Sequence, residues 1–380
     1  MPFSSLGLSD SLLKALAEQN YAKPYPIQQE AIPAILKGND VLGIAKTGSG
    51  KTASFVLPIL ERFQENKTSK NRHIRALVLV PTRELAVQVE EVFRTFSTSA
   101  SRNVKTLAVY GGVSINPQMI QLQGVEILVA TTGRLLDLIS SNAVSLSEVE
   151  VLVLDEADKM LNLGFKEEMA KIFTLLPAKR QNILFSATLS SDINSITDIL
   201  LTNPDIIEIK KETTSLDLIK QSAYLVSEER KGPFLRYLII KQQMDPVLVF
   251  VSSTNRAEAV VHKLLKNGIK AASMHSQKSQ GARTDVLKQF KDGTLRVLVA
   301  TDLASRGIDI QFLPFVINYE LPRSPKDYIH RIGRTGRAES SGEAISIINS
   351  EEMHHFKIIQ KKMGKWLTLI HTDDIDLTGF

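Results

Sequence analysis

The 380-residue chain contains no cysteine, which excludes disulfide bridges and thiolate metal sites and suits a reducing compartment. Its seven histidines are scattered without the spacing of metal ligands, so we expect no zinc site. No apolar run reaches the length that spans a bilayer, and the N-terminus lacks a basic region followed by an apolar one. These absences predict a cytoplasmic protein with no membrane partner.

The composition is that of a soluble globular protein, with 43% hydrophobic and 23% charged residues. The length suggests two domains, each with its own core. The net charge of +5 is unevenly distributed: through Ile207 there are 20 Lys and Arg against 21 Asp and Glu, and from Glu208 onward 26 against 20. A basic second half suits a polyanionic partner, although ordinary surface charge explains it equally well.

A glycine-rich stretch is the most informative part of the first half. The apolar run Val41–Ile44 predicts a buried strand, and a loop of small residues then leads into a helix predicted over Ala53–Phe63. Such a turn points backbone N–H groups and a helix N-terminus at an anion. We expect the Lys51 ammonium to reach the β- and γ-phosphates of ATP and the Thr52 hydroxyl to ligate Mg²⁺. The predicted phosphate-binding residues are Ala45, Lys46, Thr47, Gly48, Ser49, Gly50, Lys51 and Thr52.

Units of apolar strand, polar loop and helix follow this stretch. The further strands predicted in this half are Ala76–Val80, Val125–Ala130, Val149–Leu154 and Asn182–Phe185. Strands that alternate with helices predict a parallel sheet covered on both faces. Ligands of such sheets bind at the carboxyl ends of the strands. Polar clusters follow four of these strands, namely Pro81–Glu84, Thr131–Arg134, Asp155–Asp158 and Ser186–Thr188.

Two adjacent acidic residues follow the predicted strand Val149–Leu154. Near a phosphate loop, the Asp155 carboxylate is placed to hold Mg²⁺ through water, and Glu156 to orient and deprotonate an attacking water. The alternative is a solvated turn. Upstream, the Gln28 carboxamide can match an adenine edge, and the Tyr21 ring can stack on it. Taken alone, that proline-containing segment is also explained as a rigid turn.

The second half repeats this architecture without a phosphate loop. A helix is predicted to start at Ser324-Pro325, and if it continues, His330, Arg334 and Arg337 share one face. Because arginines suit bidentate contact with phosphate, Arg334 and Arg337 are predicted to complete an ATP site across a cleft between the halves. The alternative is a solvated basic face that binds nothing, or only RNA. The strands predicted here are Val247–Val251, Ala271–Met274, Val297–Ala300 and Phe315–Asn318.

Two segments lie outside these series of strands. The polar run Lys210–Ser215 has no apolar period and predicts a linker between the halves. The tail from Ser350 predicts a basic helix, followed by the acidic stretch Asp373–Asp376. The predicted basic helix carries Lys357, Lys361, Lys362 and Lys365, together with Trp366.

With these motifs in this order, the chain resembles the DEAD-box RNA helicases, from about Phe3 to about Trp366. The opening Ser5–Ser9 also resembles the bacterial RhlE-like branch. The resemblance implies an α/β fold of two tandem RecA-like domains, each a mostly parallel sheet with helices on both faces. It places an ATP-binding domain at 1–208, a linker at 209–217, a second helicase domain at 218–368 and a short tail at 369–380. The motifs that carry it are Phe3, Tyr21–Gln28, Ala45–Thr52, Pro81–Ala86, Gly111-Gly112, Thr131–Arg134, Asp155–Asp158, Ser186–Thr188, Thr301–Asp309 and His330–Arg337.

The resemblance also implies roles for individual residues. Tyr21, Lys23 and Gln28 would bind the adenine end of ATP, and Asp309 would contact its ribose. Hydrolysis would be coupled to strand separation through Ser186 and Thr188, with Asp158 and His330. RNA contacts to phosphates and 2′-hydroxyls would give little sequence preference and strong salt dependence. The implied RNA-binding residues are Pro81, Thr82, Arg83, Gly111, Gly112, Gly133, Arg134, Gln277, Arg283 and Thr301.

Four positions depart from the usual family pattern. Lys46 stands where Gln is common, Tyr25 where Thr or Ser is common, Thr132 where Pro is common, and Ser276 where Gly is common. Lys46 adds charge beside the phosphates, and Thr132 is expected to loosen the turn that positions Arg134. None of the four removes a catalytic group.

The sequence therefore predicts a monomeric RNA helicase that depends on Mg²⁺ and ATP and melts short duplexes locally. Lys51 binds phosphate, Asp155 holds Mg²⁺, Glu156 activates water, and Arg334 and Arg337 stabilise transition-state charge. Two alternatives stay open, an ATP-gated RNA clamp and a DNA translocase. The sequence does not identify the RNA or any ribosomal or degradosome-type protein partner.

Overall fold

The computed structural model divides the chain into two compact units, Met1–Lys210 and Lys211–Phe380. Each unit is described by itself below. No helix among the described residues is both long enough and apolar enough to cross a membrane. The structure describes residues 1–45, 48–64, 72–99, 102–209, 219–302, 310, 313–335 and 342–380.

The first unit is built on a seven-stranded parallel sheet. Its strand order is β3-β4-β2-β5-β6-β1-β7, so consecutive strands are joined by crossovers rather than by hairpins. In the register of β1 against β6, Ile44 lies beside Ser186, which brings the ends of these two strands level. The strands are β1 (Val41–Ile44), β2 (Ala76–Leu79), β3 (Thr106–Val109), β4 (Ile127–Ala130), β5 (Val151–Leu154), β6 (Gln181–Ser186) and β7 (Asp205–Glu208).

Helices cover both faces of this sheet, and each face has its own apolar core. Because successive side chains of a strand point to opposite faces, Val41 and Val78 belong to one core and Leu42 and Leu77 to the other. A short 3-10 turn at Phe3–Ser5 precedes the first helix. The helices are α1 (Asp10–Glu18), α2 (Pro26–Leu36), α3 (Lys51–Arg62), α4 (Arg83–Ser99), α5 (Ile115–Gln121), α6 (Thr132–Ser140), α7 (Ala157–Asn162), α8 (Lys166–Phe173) and α9 (Ser191–Leu200).

The second unit repeats this sheet. Its order is β10-β11-β9-β12-β13-β8-β14, which is the order of the first sheet with seven added to each strand number. The position of β1 is therefore taken by β8, and that of β5 by β12. The strands are β8 (Ile219–Leu225), β9 (Val247–Val251), β10 (Ala271–Met274), β11 (Val297–Thr301), β12 (Phe315–Asn318), β13 (Gly342–Ile348) and β14 (Leu369–His371).

Helices of the second unit pack in the same way on both faces of their sheet. A 3-10 turn at Glu228–Arg230 lies after β8, where the first unit has its phosphate loop after β1. The helices that the described residues of this unit form are α10 (Lys231–Lys241), α11 (Thr254–Lys266), α12 (Gln280–Lys291), α13 (Pro325–Ile332) and α14 (Met353–Met363).

The predicted fold class is confirmed: two parallel sheets with helices match tandem RecA-like domains. The nine predicted strands are all present, three of them with the predicted bounds in the second unit. The structure adds β3, β7, β8, β13 and β14, which the sequence analysis did not identify because they are short, lie at an edge or alternate with polar residues. Residues 210–217 of the predicted linker lie outside the described residues.

We expect substitution of Gly43 to destabilise the first unit. A Cβ atom at Gly43 would lie 2.3 Å from the ring of Phe185, which is fully buried. Gly43→Ala should therefore lower the free energy of unfolding by about 1–3 kcal/mol, measured by urea denaturation. The matched control is Gly281→Ala on α12, where a Cβ meets nothing within 4 Å and stability should stay equal or rise. Equal stability of the Gly43 variant and the wild type would contradict this packing.

Candidate functional site

The phosphate loop lies where the sequence predicts it, between β1 and α3. The Ala45 amide donates to the Ser186 carbonyl at 3.0 Å, so the loop leaves the sheet at the carboxyl end of β1. Gly48 and Gly50 have φ values of 76° and 87°, which disfavour any side chain. Lys46 and Thr47 lie outside the described residues.

Lys51 is the first residue of α3 and is only 6% exposed. Its ammonium group donates to the Ala45 carbonyl at 2.9 Å, which holds the side chain along the loop. Thr52 follows in the first turn of the helix, where backbone N–H groups have no partner within the helix. The arrangement combines a cation, a hydroxyl and a helix N-terminus, which together suit a bound polyphosphate.

Asp155 and Glu156 follow β5, which one strand, β6, separates from β1 and the phosphate loop in the order β5-β6-β1. Asp155 is 2% exposed, and its Oδ1 accepts the Glu156 amide at 2.9 Å. Glu156 has a φ of 54°, a left-handed conformation that non-glycine residues adopt at a cost. Lys159 donates to Glu156 Oε1 at 2.6 Å, whereas Glu156 Oε2 is buried and has no hydrogen-bond partner among the described residues.

Burial raises the pKa of Asp155 to about 6, although the nearby Lys51 ammonium acts in the opposite direction. A carboxylate removed from water in this way is stabilised by any cation that reaches it. The available donors are hard oxygen atoms, from the carboxylates of Asp155 and Glu156 and the hydroxyl of Thr52. Mg²⁺ prefers such oxygens together with phosphate and water, so these residues fit Mg²⁺ bound with a nucleotide.

Gln28 joins helix α2 to the phosphate loop. Its Oε1 accepts the Tyr25 amide at 2.9 Å, and its Nε2 donates to the Gly50 carbonyl at 3.0 Å. The Tyr21 ring packs edge-on against Phe96, with centroids 5.4 Å apart. Lys23 is exposed. Gln28 is therefore hydrogen-bonded directly to the phosphate loop, and adenine recognition by Tyr21, Lys23 and Gln28 stays a prediction.

Three of the four residues predicted to couple hydrolysis to RNA, Ser186, Thr188 and Asp158, lie together in the first unit. The Ser186 hydroxyl donates to the Thr188 carbonyl at 2.7 Å. The Thr188 hydroxyl donates in turn to Asp158 Oδ2 at 3.2 Å. This chain of hydrogen bonds connects the loop after β6 with helix α7, whose first residue follows Glu156 directly.

The predicted RNA-binding residues of the first unit gather at the carboxyl ends of the neighbouring strands β2, β3 and β4. Arg83 begins α4, and its guanidinium covers Gly112, where a Cβ would lie 2.1 Å from Nη1. Arg134 is buried and donates from Nη2 to the Val113 carbonyl at 2.7 Å. Pro81 and Thr82 lie in the turn after β2, Gly111 lies in the turn after β3, and Gly133 is the second residue of α6.

Thr132 is held more firmly than the sequence suggested. It is the first residue of α6, where a family proline would also fit, and its hydroxyl donates to the Glu168 carboxylate on α8. This side-chain hydrogen bond ties the first turn of α6, just before Arg134, to helix α8, which does not support the expected loosening.

In the second unit, the predicted RNA-binding residues follow two neighbouring strands. Gln277 is exposed in the loop after β10, and Arg283 lies in the first turns of α12. Thr301 is the last residue of β11 and is buried. Asp309 lies outside the described residues, so its predicted contact with ribose is untested.

The predicted shared helical face of His330, Arg334 and Arg337 is wrong for the first two residues. Helix α13 ends at Ile332, and the amide of Gly333 caps it by donating to the Ile329 carbonyl. The chain then turns away, because the Arg334 carbonyl accepts the Leu313 amide at 3.1 Å. His330 is exposed on the helix, Arg334 is half-buried beyond its end, and Arg337 lies outside the described residues.

Arg331, which the sequence motifs did not point to, is buried at 2% exposure. Its Nε and Nη2 donate to the Asp302 carboxylate at 2.6 and 2.8 Å, and Nη1 donates to the Glu320 carbonyl at 2.7 Å. Its guanidinium also lies 4.9 Å from the Phe250 ring centroid. The sequence contains one indication of this burial. Arg331 is three residues after Tyr328, so the two side chains share the face of α13 that is buried.

Comparisons with known proteins agree with this site. The model of the DEAD/DEAH box helicase family matches residues 25–196, and that of the helicase conserved C-terminal domain matches residues 230–339. An ATP-dependent RNA helicase CshA of Limosilactobacillus reuteri is 40% identical over 95% of this chain and 72% of its own length. An ATP-dependent RNA helicase DeaD of Buchnera aphidicola is 40% identical over 96% of this chain and 60% of its own length.

Two solved structures are similar to the chain over nearly its whole length. A DEAD box protein from the hyperthermophile Methanococcus jannaschii is 37% identical, covers 97% of this chain and 99% of its own, and gives a TM-score of 0.56. Dbp5 of S. cerevisiae bound to RNA and ADP BeF3 is 30% identical, covers 98% and 96%, and gives a TM-score of 0.82.

The fold and the site define a helicase built of two RecA-like units. The chain belongs to the DEAD/DEAH box helicase family. The resemblance predicted from its motifs is thereby confirmed. The narrower expectation of an RhlE-like branch is not confirmed by these relatives.

Arg331 offers a test of the second unit. Arg331→Lys keeps the charge but loses the paired contact with Asp302, so the free energy of unfolding should fall by about 2 kcal/mol in urea denaturation. Arg323→Lys, at an exposed arginine of the same unit, is the matched control and should leave stability unchanged. Equal stability of the two variants would show that the buried contacts contribute nothing.

The raised pKa of Asp155 predicts how stability depends on pH. In the folded protein without Mg²⁺ or nucleotide this pKa is about 6, against a reference value of 3.8, so ionisation favours unfolding as the pH rises through this window. Asp155→Asn should therefore be more stable than the wild type by about 2–3 kcal/mol at pH 8, and the difference should vanish towards pH 4. Thermal unfolding across this range measures it.

The control for this titration is Asp198→Asn, at an exposed position of α9. Its stability difference from the wild type should be small at every pH. A pH-independent effect of Asp155→Asn would contradict the desolvation of this carboxyl group.

Proposed function

We propose that the chain is an ATP-dependent RNA helicase. The observation that carries the proposal is the group of buried charges, Lys51, Asp155 and Glu156, at the carboxyl ends of β1 and β5. Relatives 40% identical over most of the chain are named ATP-dependent RNA helicases, and a similar solved structure, Dbp5, is described as bound to RNA and ADP BeF3. We assign 1–208 to ATP binding, 209–217 to the linker, and 218–368 to the second helicase domain.

ATP would bind with its phosphates on the N-terminus of α3. The loop amides and the Lys51 ammonium would contact the β- and γ-phosphates, while Tyr21, Lys23 and Gln28 would hold the adenine and Asp309 the ribose. Thr52 and Asp155 would hold Mg²⁺, which neutralises phosphate charge. The link from Gln28 to the Gly50 carbonyl supports this arrangement, because adenine binding can then influence the phosphate loop.

Glu156 would orient and deprotonate the water that attacks the γ-phosphate. Its buried Oε2, without a hydrogen-bond partner among the described residues, is the acceptor that such a water needs. Arg334 and Arg337 would stabilise the charge of the transition state, and His330 would couple this event to RNA. Intact Glu156 favours turnover over the alternative of an RNA clamp that only holds its ligand.

Single-stranded RNA would bind across the turns after β2, β3 and β4 of the first unit and after β10 and β11 of the second. Contacts to phosphates and 2′-hydroxyls would bend one strand, so that its partner no longer pairs and a short duplex melts. Hydrolysis would then release the RNA through Ser186, Thr188 and Asp158. We further propose that the protein is monomeric and cytoplasmic, without a membrane partner.

The proposal predicts strong stimulation of ATP hydrolysis by single-stranded RNA. Glu156→Gln removes the base but keeps the size of the side chain, so kcat should fall by about 100-fold or more while ATP still binds. Glu167→Gln, at an exposed position of α8, is the matched control and should behave as the wild type. Steady-state phosphate release with and without RNA measures the effect.

Two outcomes would contradict the proposal. If RNA does not stimulate ATP hydrolysis, hydrolysis is not coupled to RNA binding. Stimulation by single-stranded DNA equal to that by RNA would favour the alternative of a DNA translocase, since DNA lacks the 2′-hydroxyl.

A further inference from the structure

The outer face of helix α14 has no role in the proposed reaction. Its inner side packs into the core through Phe356, Ile359 and Met363. Its outer side carries three exposed lysines, Lys357, Lys361 and Lys362. The chain's only tryptophan, Trp366, lies just beyond the helix end and is 66% exposed. We call Lys357, Lys361, Lys362 and Trp366 the basic-aromatic face.

The positive charge of this face is not neutralised within the part of the chain that the structure describes. None of the three lysines forms an ion pair with a described carboxylate. Glu352, which precedes the helix, points instead to the buried Lys231 at 2.7 Å. In the acidic tail, Asp373 lies 4.0 Å from Arg230. A cluster of like charges without counter-charges attracts a polyanion.

Trp366 adds a different kind of contact. An exposed indole presents a flat apolar surface, and unpaired bases stack on such rings whatever their sequence. Ile358 is also exposed on the same helix, between Lys357 and Lys361 in the chain. A positively charged surface together with an exposed aromatic ring is the combination that binds single-stranded nucleic acid.

We propose that the basic-aromatic face is a second contact surface for single-stranded RNA. This inference rests on the proposed function, which makes RNA the partner. The lysines contact phosphates, and Trp366 stacks on a base. The surface lies outside the turns to which RNA contacts are assigned above.

A membrane surface fits this face less well. Helices that lie on a membrane bury a continuous apolar side among the lipids. The apolar side of α14 is already buried in the core of the second unit, which leaves Ile358 and Trp366 as the large apolar groups exposed on this face. Three lysines and one exposed aromatic ring therefore favour single-stranded RNA over a membrane as the ligand of this face.

The position of α14 in the fold predicts a dependence on RNA length. The helix connects β13 to the edge strand β14, whereas the turns carrying Gln277 and Arg283 follow β10 at the opposite edge. Six strand spacings separate β10 from β14, or about 29 Å. At about 3.4 Å per stacked nucleotide, an RNA of about six nucleotides reaches only one surface, and one of about 20 nucleotides reaches both.

Fluorescence of the only tryptophan tests the proposal directly in the full chain. RNA of about 20 nucleotides should quench Trp366, and its affinity should exceed that of an RNA of about six nucleotides. Trp366→Ala should weaken binding of the longer RNA about tenfold. Lys357→Gln/Lys361→Gln/Lys362→Gln should lower the slope of log affinity against log salt by about 2, from three lost phosphate contacts.

The matched control removes three exposed lysines elsewhere in the same unit, as Lys263→Gln/Lys266→Gln/Lys270→Gln. Absence of quenching in the wild type at saturating RNA, or an equal loss in both triple variants, would overturn the proposal. Quenching by anionic lipid vesicles but not by RNA would assign the face to a membrane instead. ATP hydrolysis stimulated by the short RNA should survive in every variant, and its absence from the wild type would mark failure of the proposed function itself.

Discussion

The burial of opposite charges at the carboxyl ends of parallel strands is the constraint on which the first unit depends. Lys51 begins α3 after β1, Asp155 follows β5, and both side chains are almost completely removed from water. Burial of a charge is unfavourable unless another charge or hydrogen bond compensates for it, and here the Ala45 carbonyl and the Glu156 amide supply only part of that compensation. We therefore expect a ligand that brings both phosphate and a cation to stabilise the site.

The two units share one topology but differ in how the buried charges at the carboxyl ends of the strands are compensated. In the second unit, Lys231 is buried after β8, at the place equivalent to the phosphate loop, and it is bonded to Glu352 at 2.7 Å. Glu320, which follows β12, accepts hydrogen bonds from the Ser252 hydroxyl at 2.6 Å and from Arg256 Nε at 2.7 Å. In the second unit, these buried or half-buried charges at the carboxyl ends of the strands are therefore compensated by internal ion pairs. In the first unit, the charges at the same place suit a nucleotide.

The sequence predicted correctly those strands that are continuous runs of apolar residues. Val247–Val251 is buried on both faces and was identified with the observed bounds. In β8, polar residues such as Lys220 and Gln221 interrupt the apolar pattern, so the strand was missed. Arg331 was missed for another reason: its partner Asp302 is 29 positions away, and only the folded chain brings the two together. Gly333 likewise ends a helix that periodicity alone would continue to Arg337.

The central claim is that Asp155 is held ready for a metal ion that arrives with the nucleotide. Its most direct test is the affinity for ADP, measured by titration calorimetry with Mg²⁺ and with EDTA, in the wild type and in Asp155→Asn. We expect Mg²⁺ to tighten binding at least about tenfold in the wild type and to have little effect in the variant. An equal effect of Mg²⁺ on both proteins would contradict the claim and remove Asp155 from the metal site.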